Sequence, residues 1–152
     1  MPQKKIALLG GGSEQVIAVR IAKELGYKTF VVDDNPKAPA RLVADEFANT
    51  KIMDTSSLIV CLKNHTIDGV FTHAAELAIQ VSAIAEALNL PGIGIDTARK
   101  GTYKHLRIRT LESSGIQVPG YRIMGYNDTY VEWSRKADQI SYPLVAKPTD
   151  GK

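Results

Sequence analysis

The chain has 152 residues, 44% of them apolar and 23% charged, with a net charge of +3. These are ordinary values for a soluble globular protein, and no stretch approaches the roughly 20 apolar residues of a membrane helix. The single cysteine, Cys61, excludes an internal disulfide and fits a reducing, cytoplasmic setting.

The opening Met1–Lys5 is short and basic and runs straight into Ile6–Leu9, with no small-residue cleavage site after it, so it does not read as a signal peptide. Ile6–Leu9 is a continuous apolar run ending in Gly10-Gly11-Gly12, the pattern of a buried first strand. Ser13 is a suitable N-cap. Ile17, Ile21 and Leu25 then share one helical face, and Gly26 supplies the left-handed stop. Thr29–Val32 reads as a second strand leading into Asp33-Asp34-Asn35-Pro36, and Glu46–Ala48 as a short third. Asp54 or Thr55 caps a helix to about Lys63. Gly69–Thr72 is the fourth strand, and Leu77, Val81, Ile84 and Leu88 follow helical spacing. Pro91-Gly92 interrupts the chain, and Ile93–Ile95 reads as a further edge strand. Beyond Asp96 a helical stretch runs to about Ser114 and stops at Gly115. Tyr121–Met124 reads as a strand, Asn127 or Asp128 starts a helix to about Ala137, and Tyr142–Lys147, with Pro143 inside it, reads as an edge strand or strand start. Thr149–Lys152 is a glycine turn. Short strands alternating with helices predict an α/β fold, an open parallel sheet with helices on both faces.

Three groups of residues could carry chemistry. A strand, a glycine turn and a helix at Gly10–Gly12 would point main-chain N–H groups and a helix N-terminus at an anion, or would be simply a tight turn. Gly10 and Gly12 fit the start of a dinucleotide fingerprint, and Asp33 lies near where such folds keep a ribose-binding acid, but Gln15 stands where the third glycine belongs. Thr72-His73-Ala74-Ala75-Glu76 follows the fourth strand, at the edge where open parallel sheets bind ligands; Glu76 there either meets a ligand or favours the helix dipole. No metal-ligand spacing accompanies His73. Lys104 sits beside Arg107 and Arg109 in a helix. Lys147 ends an apolar run before a glycine turn, placed to meet a phosphate or to reach into water. The basic residues are scattered, and the densest stretch, Arg99–Arg109, carries Leu106 and Ile108 as a helix face would, which argues against a nucleic-acid partner.

In order, Gly-Gly-Gly-x-x-Gln, Val31-Val32-Asp33-Asp34-Asn35-Pro36-Lys37-Ala38-Pro39-Ala40, Ala44-Asp45, Ile67-Asp68-Gly69-Val70, Glu76, Leu88-Asn89-Leu90-Pro91-Gly92, Lys104 with Arg107 or Arg109, Gly115 to Pro119 and Tyr142 to Pro148 span essentially the whole chain. This succession resembles ATP-grasp enzymes, nearest to the carbamoyl-phosphate synthase large-chain type, with biotin carboxylase and carboxyaminoimidazole ribonucleotide synthase as cousins. The resemblance implies a Rossmann-like pre-ATP-grasp domain over residues 1–95 and the N-terminal part of an α+β ATP-grasp domain over 96–152. It implies a ligase using ATP and Mg2+ to make an acyl phosphate from a carboxylate or bicarbonate, which an amine or similar nucleophile then attacks. Lys104 and Lys147 would contact the ATP phosphates, and Gly10, Gly11, Gly12 and Glu76 would line the substrate side. The family has aspartate before the helix lysine, where this chain has Tyr103. The glycine-rich ATP loop and the magnesium ligands would follow residue 152, so the expectation is a truncated form or a split gene product, inactive alone, with no metal site inside these residues. A homo-oligomer is compatible with the pattern. The rival readings are an NAD(P)-binding oxidoreductase domain and a non-catalytic scaffold module.

Overall fold

The computed structural model describes residues 2–150. It divides into two compact units, Met1–Arg99 and Lys100–Lys152.

The first unit runs β1 (Lys5–Leu9), α1 (Ser13–Glu24), β2 (Lys28–Asp33), a 3-10 turn (Pro39–Leu42), β3 (Glu46–Asn49), α2 (Thr55–Lys63), β4 (Gly69–Phe71) and α3 (Ala78–Ala87). The strands pair in parallel in the order β3-β2-β1-β4. Successive strand residues point to opposite faces. Ala7, Leu9, Phe30, Val32 and Val70 therefore pack with Leu58, Leu62 and Ile84 of α2 and α3, while Leu8 and Val31 pack with Val19 of α1 and Ala40. Because helices cover both faces, Ile6–Leu9 of β1 and Phe30–Val32 of β2 are apolar without alternation. This is the Rossmann-like sheet that the sequence predicts.

Local signals set the helix ends. Asp54 Oδ1 accepts from Ser57 N at 3.1 Å and starts α2. Gly26, at φ +85°, closes α1: its N–H donates to Lys23 O, and Tyr27 N donates to Ala22 O at 3.0 Å. A side chain at that φ would be strained.

Some expectations fail here for physical reasons. Gly12, not Ser13, is the N-cap of α1. The buried face of α1 is Gln15, Val19 and Ala22, whereas Ile17, Ile21 and Leu25 are 58%, 49% and 70% exposed. The burial of an amide that finds main-chain partners turns the helix away from its most apolar row. Ile93–Ile95 is not a strand. Gly94 takes φ +82°, and Ile95, its N–H held by Glu86 Oε1 at 2.8 Å, opens α4 (Ile95–Thr102).

The helix predicted to reach Ser114 is two helices, α4 and α5 (Lys104–Ser113), parted where Tyr103 is extended (φ −79°, ψ 114°). Gly115, at φ +75°, ends α5 as predicted. The next helix, α6 (Tyr130–Ala137), begins later than expected because Thr129 and Glu132 form a capping box; Asp128 instead accepts from Gly125 N and pairs with Lys136. The strands predicted at Tyr121–Met124 and Tyr142–Lys147 do not form. A strand exists only against a neighbour, and among the described residues neither segment has one. No residue of α5 or α6 is buried. The turn expected at Thr149–Lys152 lies partly outside the described residues. Among those, no helix is long and apolar enough to cross a membrane.

Two carboxylates pin β3 to its surroundings. Glu46 pairs with Lys28 Nζ at 2.7 Å and Lys5 Nζ at 2.9 Å, which together hold its carboxyl down to about 2. Partial burial opposes ionisation of Asp45, but Lys23 at 2.7 Å and the N–H and hydroxyl of Thr29, both at 2.8 Å, outweigh it and hold this carboxyl also at about 2. Both values lie below the ordinary 3.8 and 4.5. The stability these groups contribute is therefore fully present above the ordinary carboxylate range and is lost as pH falls through it toward 2. Chemical denaturation midpoints measured from pH 6 to about pH 2.5 should fall in acid, and the fall should shrink in an Asp45→Asn, Glu46→Gln variant.

Candidate functional site

The sheet changes direction between β1 and β4: from β1 the chain moves to β2 and β3 on one side and returns to β4 on the other. The crevice beyond the C-terminal ends of those two strands is where open parallel sheets receive ligands. Two loops flank it, Gly10–Gly12 after β1 and Thr72–Leu77 after β4.

The three glycines do different jobs. Gly10, buried at φ +91°, donates its N–H to Val32 O at 2.9 Å and turns the chain off the sheet. Gly11 is buried too. Its N–H donates to Asp33 Oδ2 at 2.6 Å and its carbonyl accepts from Ala40 N at 2.9 Å. A Cβ here would lie 2.7 Å from Ala38 Cβ, so this position cannot carry a side chain without moving the 33–40 loop. Gly12 is exposed at the mouth of α1, and the space a Cβ would fill is open. Gly12 is thus where a ligand can approach the main chain, and the N-terminus of a twelve-residue helix stands directly behind it.

Two side chains that the sequence presents as site candidates or obstacles are scaffolding. Asp33 is 8% exposed. Its Oδ2 holds Gly11 N and its Oδ1 accepts from Asn35 N at 2.7 Å. A carboxylate occupied in this way is not presented to a ribose, which removes the main support for a dinucleotide site. Gln15 is 3% exposed and spans the crevice. Its Nε2 donates to His73 O, and its Oε1 accepts from His73 N at 3.3 Å. The glutamine in place of a third glycine thus ties the helix behind the glycine turn to the β4 loop. A polar residue inside an apolar helix row is the one sequence signal that could have revealed this role.

Thr72 Oγ1 donates to Leu9 O at 2.9 Å and adds a second tie between the loops. The His73 side chain is exposed, Ala74 adopts φ +53°, and Glu76 is exposed just before Leu77, the N-cap of α3. A non-glycine residue in the left-handed region is strained, and such strain gathers at functional loops. Glu76 thus stands three residues beyond the point where Gln15 pins the loop, with no hydrogen bond or ion pair to the glycine turn.

In the second unit the structure brings the chain around the two expected ATP lysines together. Lys104 is the first residue of α5 and half-buried, and its N–H donates to Thr149 O at 2.8 Å. Thr149 lies two residues beyond Lys147, which is exposed on a segment without regular secondary structure rather than at the end of a strand. Arg107 is turned back toward Gly101, its Nη1 donating to that carbonyl at 3.3 Å. Among the described residues no three His, Cys, Asp or Glu side chains gather as a metal centre.

Comparison with known proteins agrees with this architecture. Residues 3–90, more than half of the chain, match the ribonucleotide synthetase preATP-grasp domain family. The chain is 28% identical over 149 residues to an N5-carboxyaminoimidazole ribonucleotide synthase from Staphylococcus saprophyticus, covering 96% of this chain and 38% of that protein. It is 29% identical over 147 residues to a formate-dependent phosphoribosylglycinamide formyltransferase from Bacillus subtilis, covering 95% and 38%. The fold is similar to the crystal structure of N5-carboxyaminoimidazole ribonucleotide synthetase from Thermotoga maritima, with a TM-score of 0.79, 23% identity and coverage of 98% of this chain and 39% of that one. The chain therefore spans well under half the length of the curated relatives it matches. With its glycine turn, its 3-2-1-4 parallel sheet and this match, the chain belongs to the ribonucleotide synthetase preATP-grasp domain family, and through it to the ATP-grasp superfamily.

Proposed function

We propose that this chain is the front end of an ATP-dependent carbon–nitrogen ligase. The whole enzyme would use ATP and Mg2+ to convert a carboxylate or bicarbonate into an acyl phosphate, which an amine-type nucleophile then attacks. The carbamoyl-phosphate synthase-like form, with bicarbonate as the activated group, is the specific version of this reading. The observation that carries it is the crevice between β1 and β4, where Gly12 leaves the mouth of α1 open while Asp33 and Gln15 hold the flanking loops in place.

In this reading residues 1–95 form the substrate domain and 96–152 begin the ATP-grasp domain. Gly10, Gly11 and Gly12 shape the main chain around an anionic substrate, with Gly12 in direct contact. Glu76 meets the nucleophile's amine, a charge match of ordinary kind. Lys104 and Lys147 hold ATP phosphates. When bound, ATP supplies the phosphoryl group and magnesium neutralises its charge; the chain's own part is positioning. The setting is the cytoplasm.

The test compares ATP·Mg-dependent ADP release, with a panel of carboxylates and amines, between this chain and the polypeptide extended to the length of its relatives. Release from the extended protein only, with an acyl phosphate trapped by hydroxylamine, is the expected result. No release and no trapped acyl phosphate from either would overturn the ligase reading.

A further inference from the structure

The loop that follows β4 is held by a side chain where a strand would otherwise hold it. β1 and β4 pair as far as Leu8 and Phe71, and Thr72 Oγ1 then reaches Leu9 O. The next N–H along β1, that of Gly10, goes instead to Val32 O on β2. From there the pairing with the β4 side passes to Gln15 of α1. Its Nε2 donates to His73 O and its Oε1 accepts from His73 N, so one side-chain amide matches both main-chain groups of one residue. The amide lies close over Gly10, where a Cβ would stand 3.4 Å from Nε2.

Just beyond this clamp the chain is strained. Ala74 takes φ +53°, a region that costs any residue with a Cβ. Such a conformation persists only where both ends of the segment are fixed. The far end is fixed by the core: Leu77 is 4% exposed, and Ala75 is half-buried against the same cluster. The near end is fixed by Gln15 and by Thr72. Glu76 lies between the two anchors, exposed, three residues from the clamp. If the His73 end is released, Ala74 can return to an ordinary φ, and the turn leading to Glu76 is redirected.

We propose that Gln15 is a positioning residue for Glu76: its amide, closed on both main-chain groups of His73, holds the 72–77 loop in the strained form that sets the Glu76 carboxylate at the crevice. The role rests on the ligase reading, in which Glu76 meets the nucleophile's amine. Gln15 itself touches no substrate. It is 3% exposed, and its amide hydrogens and oxygen are turned to the loop. Its effect on the reaction is geometric, through where the carboxylate stands.

Gln15→Met keeps the side-chain length and removes both bonds. On the 152-residue chain, amide hydrogen exchange at His73–Glu76 should then quicken about tenfold while β1 keeps its wild-type rates. In the polypeptide extended to the length of its relatives, turnover is followed with the amine, ammonium or glycine, that supports ADP release. There Gln15→Met should raise KM for that amine about tenfold and leave KM for ATP within about twofold, a split that a general loss of stability would not give. Adding Ala74→Gly should bring the amine KM back to within about threefold of wild type, because glycine takes φ +53° without strain. Unchanged exchange in the loop, KM values for amine and ATP that rise together, or a double variant as impaired as the single one would overturn the positioning role. A wild-type extended protein with no turnover on any carboxylate and amine would overturn the ligase reading, and this role with it, whatever the exchange rates show.

Discussion

Asp33→Ala is expected to destabilise the first unit by about 2–3 kcal/mol, read as a fall in melting temperature of roughly 10–20 °C by circular dichroism. The loss has two parts. Gly11 is buried, so its N–H, now 2.6 Å from Asp33 Oδ2, is left without a partner and out of reach of bulk water. A buried donor left unpaired costs about 1–3 kcal/mol, and a bond to a charged acceptor is at the upper end of what such bonds contribute. Asn35 N also loses its acceptor, but Asn35 is exposed and water replaces most of that bond. Asp33→Asn should lose about half as much, because the amide oxygen can still accept from one of the two N–H groups while its NH2 opposes the other. The same variants should loosen Gly11 and Gly12, visible as faster amide hydrogen exchange there than in β1, which has independent strand partners. A melting temperature within about 2 °C of wild type for Asp33→Ala would show that the Gly11–Asp33 bond does not hold the turn.

This role also shows what could be read from the chain alone. The parallel sheet was legible because its evidence is local and repeated: apolar runs at Ile6–Leu9 and Phe30–Val32, Asp54 before α2, Gly26 after α1. The glycine turn and its place at a strand end were legible for the same reason. The functions of Asp33 and Gln15 were not, because each depends on a partner far along the chain, Gly11 at one end and His73 at the other. A buried glutamine also explains the misread face of α1. Apolar count favours Ile17, Ile21 and Leu25, but two hydrogen bonds to the main chain remove the cost of burying the Gln15 amide, and the helix turns accordingly. Tyr121–Met124 and Tyr142–Lys147 fail in the opposite way. Their composition suits strands, but strand formation needs a neighbour, and composition does not reveal whether one is present.

In the polypeptide extended to the length of its relatives, Lys147→Ala is expected to lower kcat/KM for ATP by about 10²–10³-fold, the usual loss when one fixed charge is removed from a transferring phosphoryl group. Stability should not follow activity, since Lys147 is exposed and its removal leaves no buried group unpaired. Lys147→Arg keeps the charge but replaces a point ammonium with a planar fork, so it should recover only part of the loss. Lys104→Ala tests the lysine side chain apart from the main-chain link between α5 and the 147–150 segment. The bond from Lys104 N to Thr149 O is main chain to main chain and survives that substitution, so any loss belongs to the side chain. If both ammonium groups grip the same phosphates, the double variant should fall short of the sum of the two single losses, because each single variant already loosens the geometry the other needs. Full additivity would place the lysines on separate parts of the nucleotide. An unchanged rate in Lys147→Ala would remove this lysine from the ATP site and leave Lys104 to be judged alone.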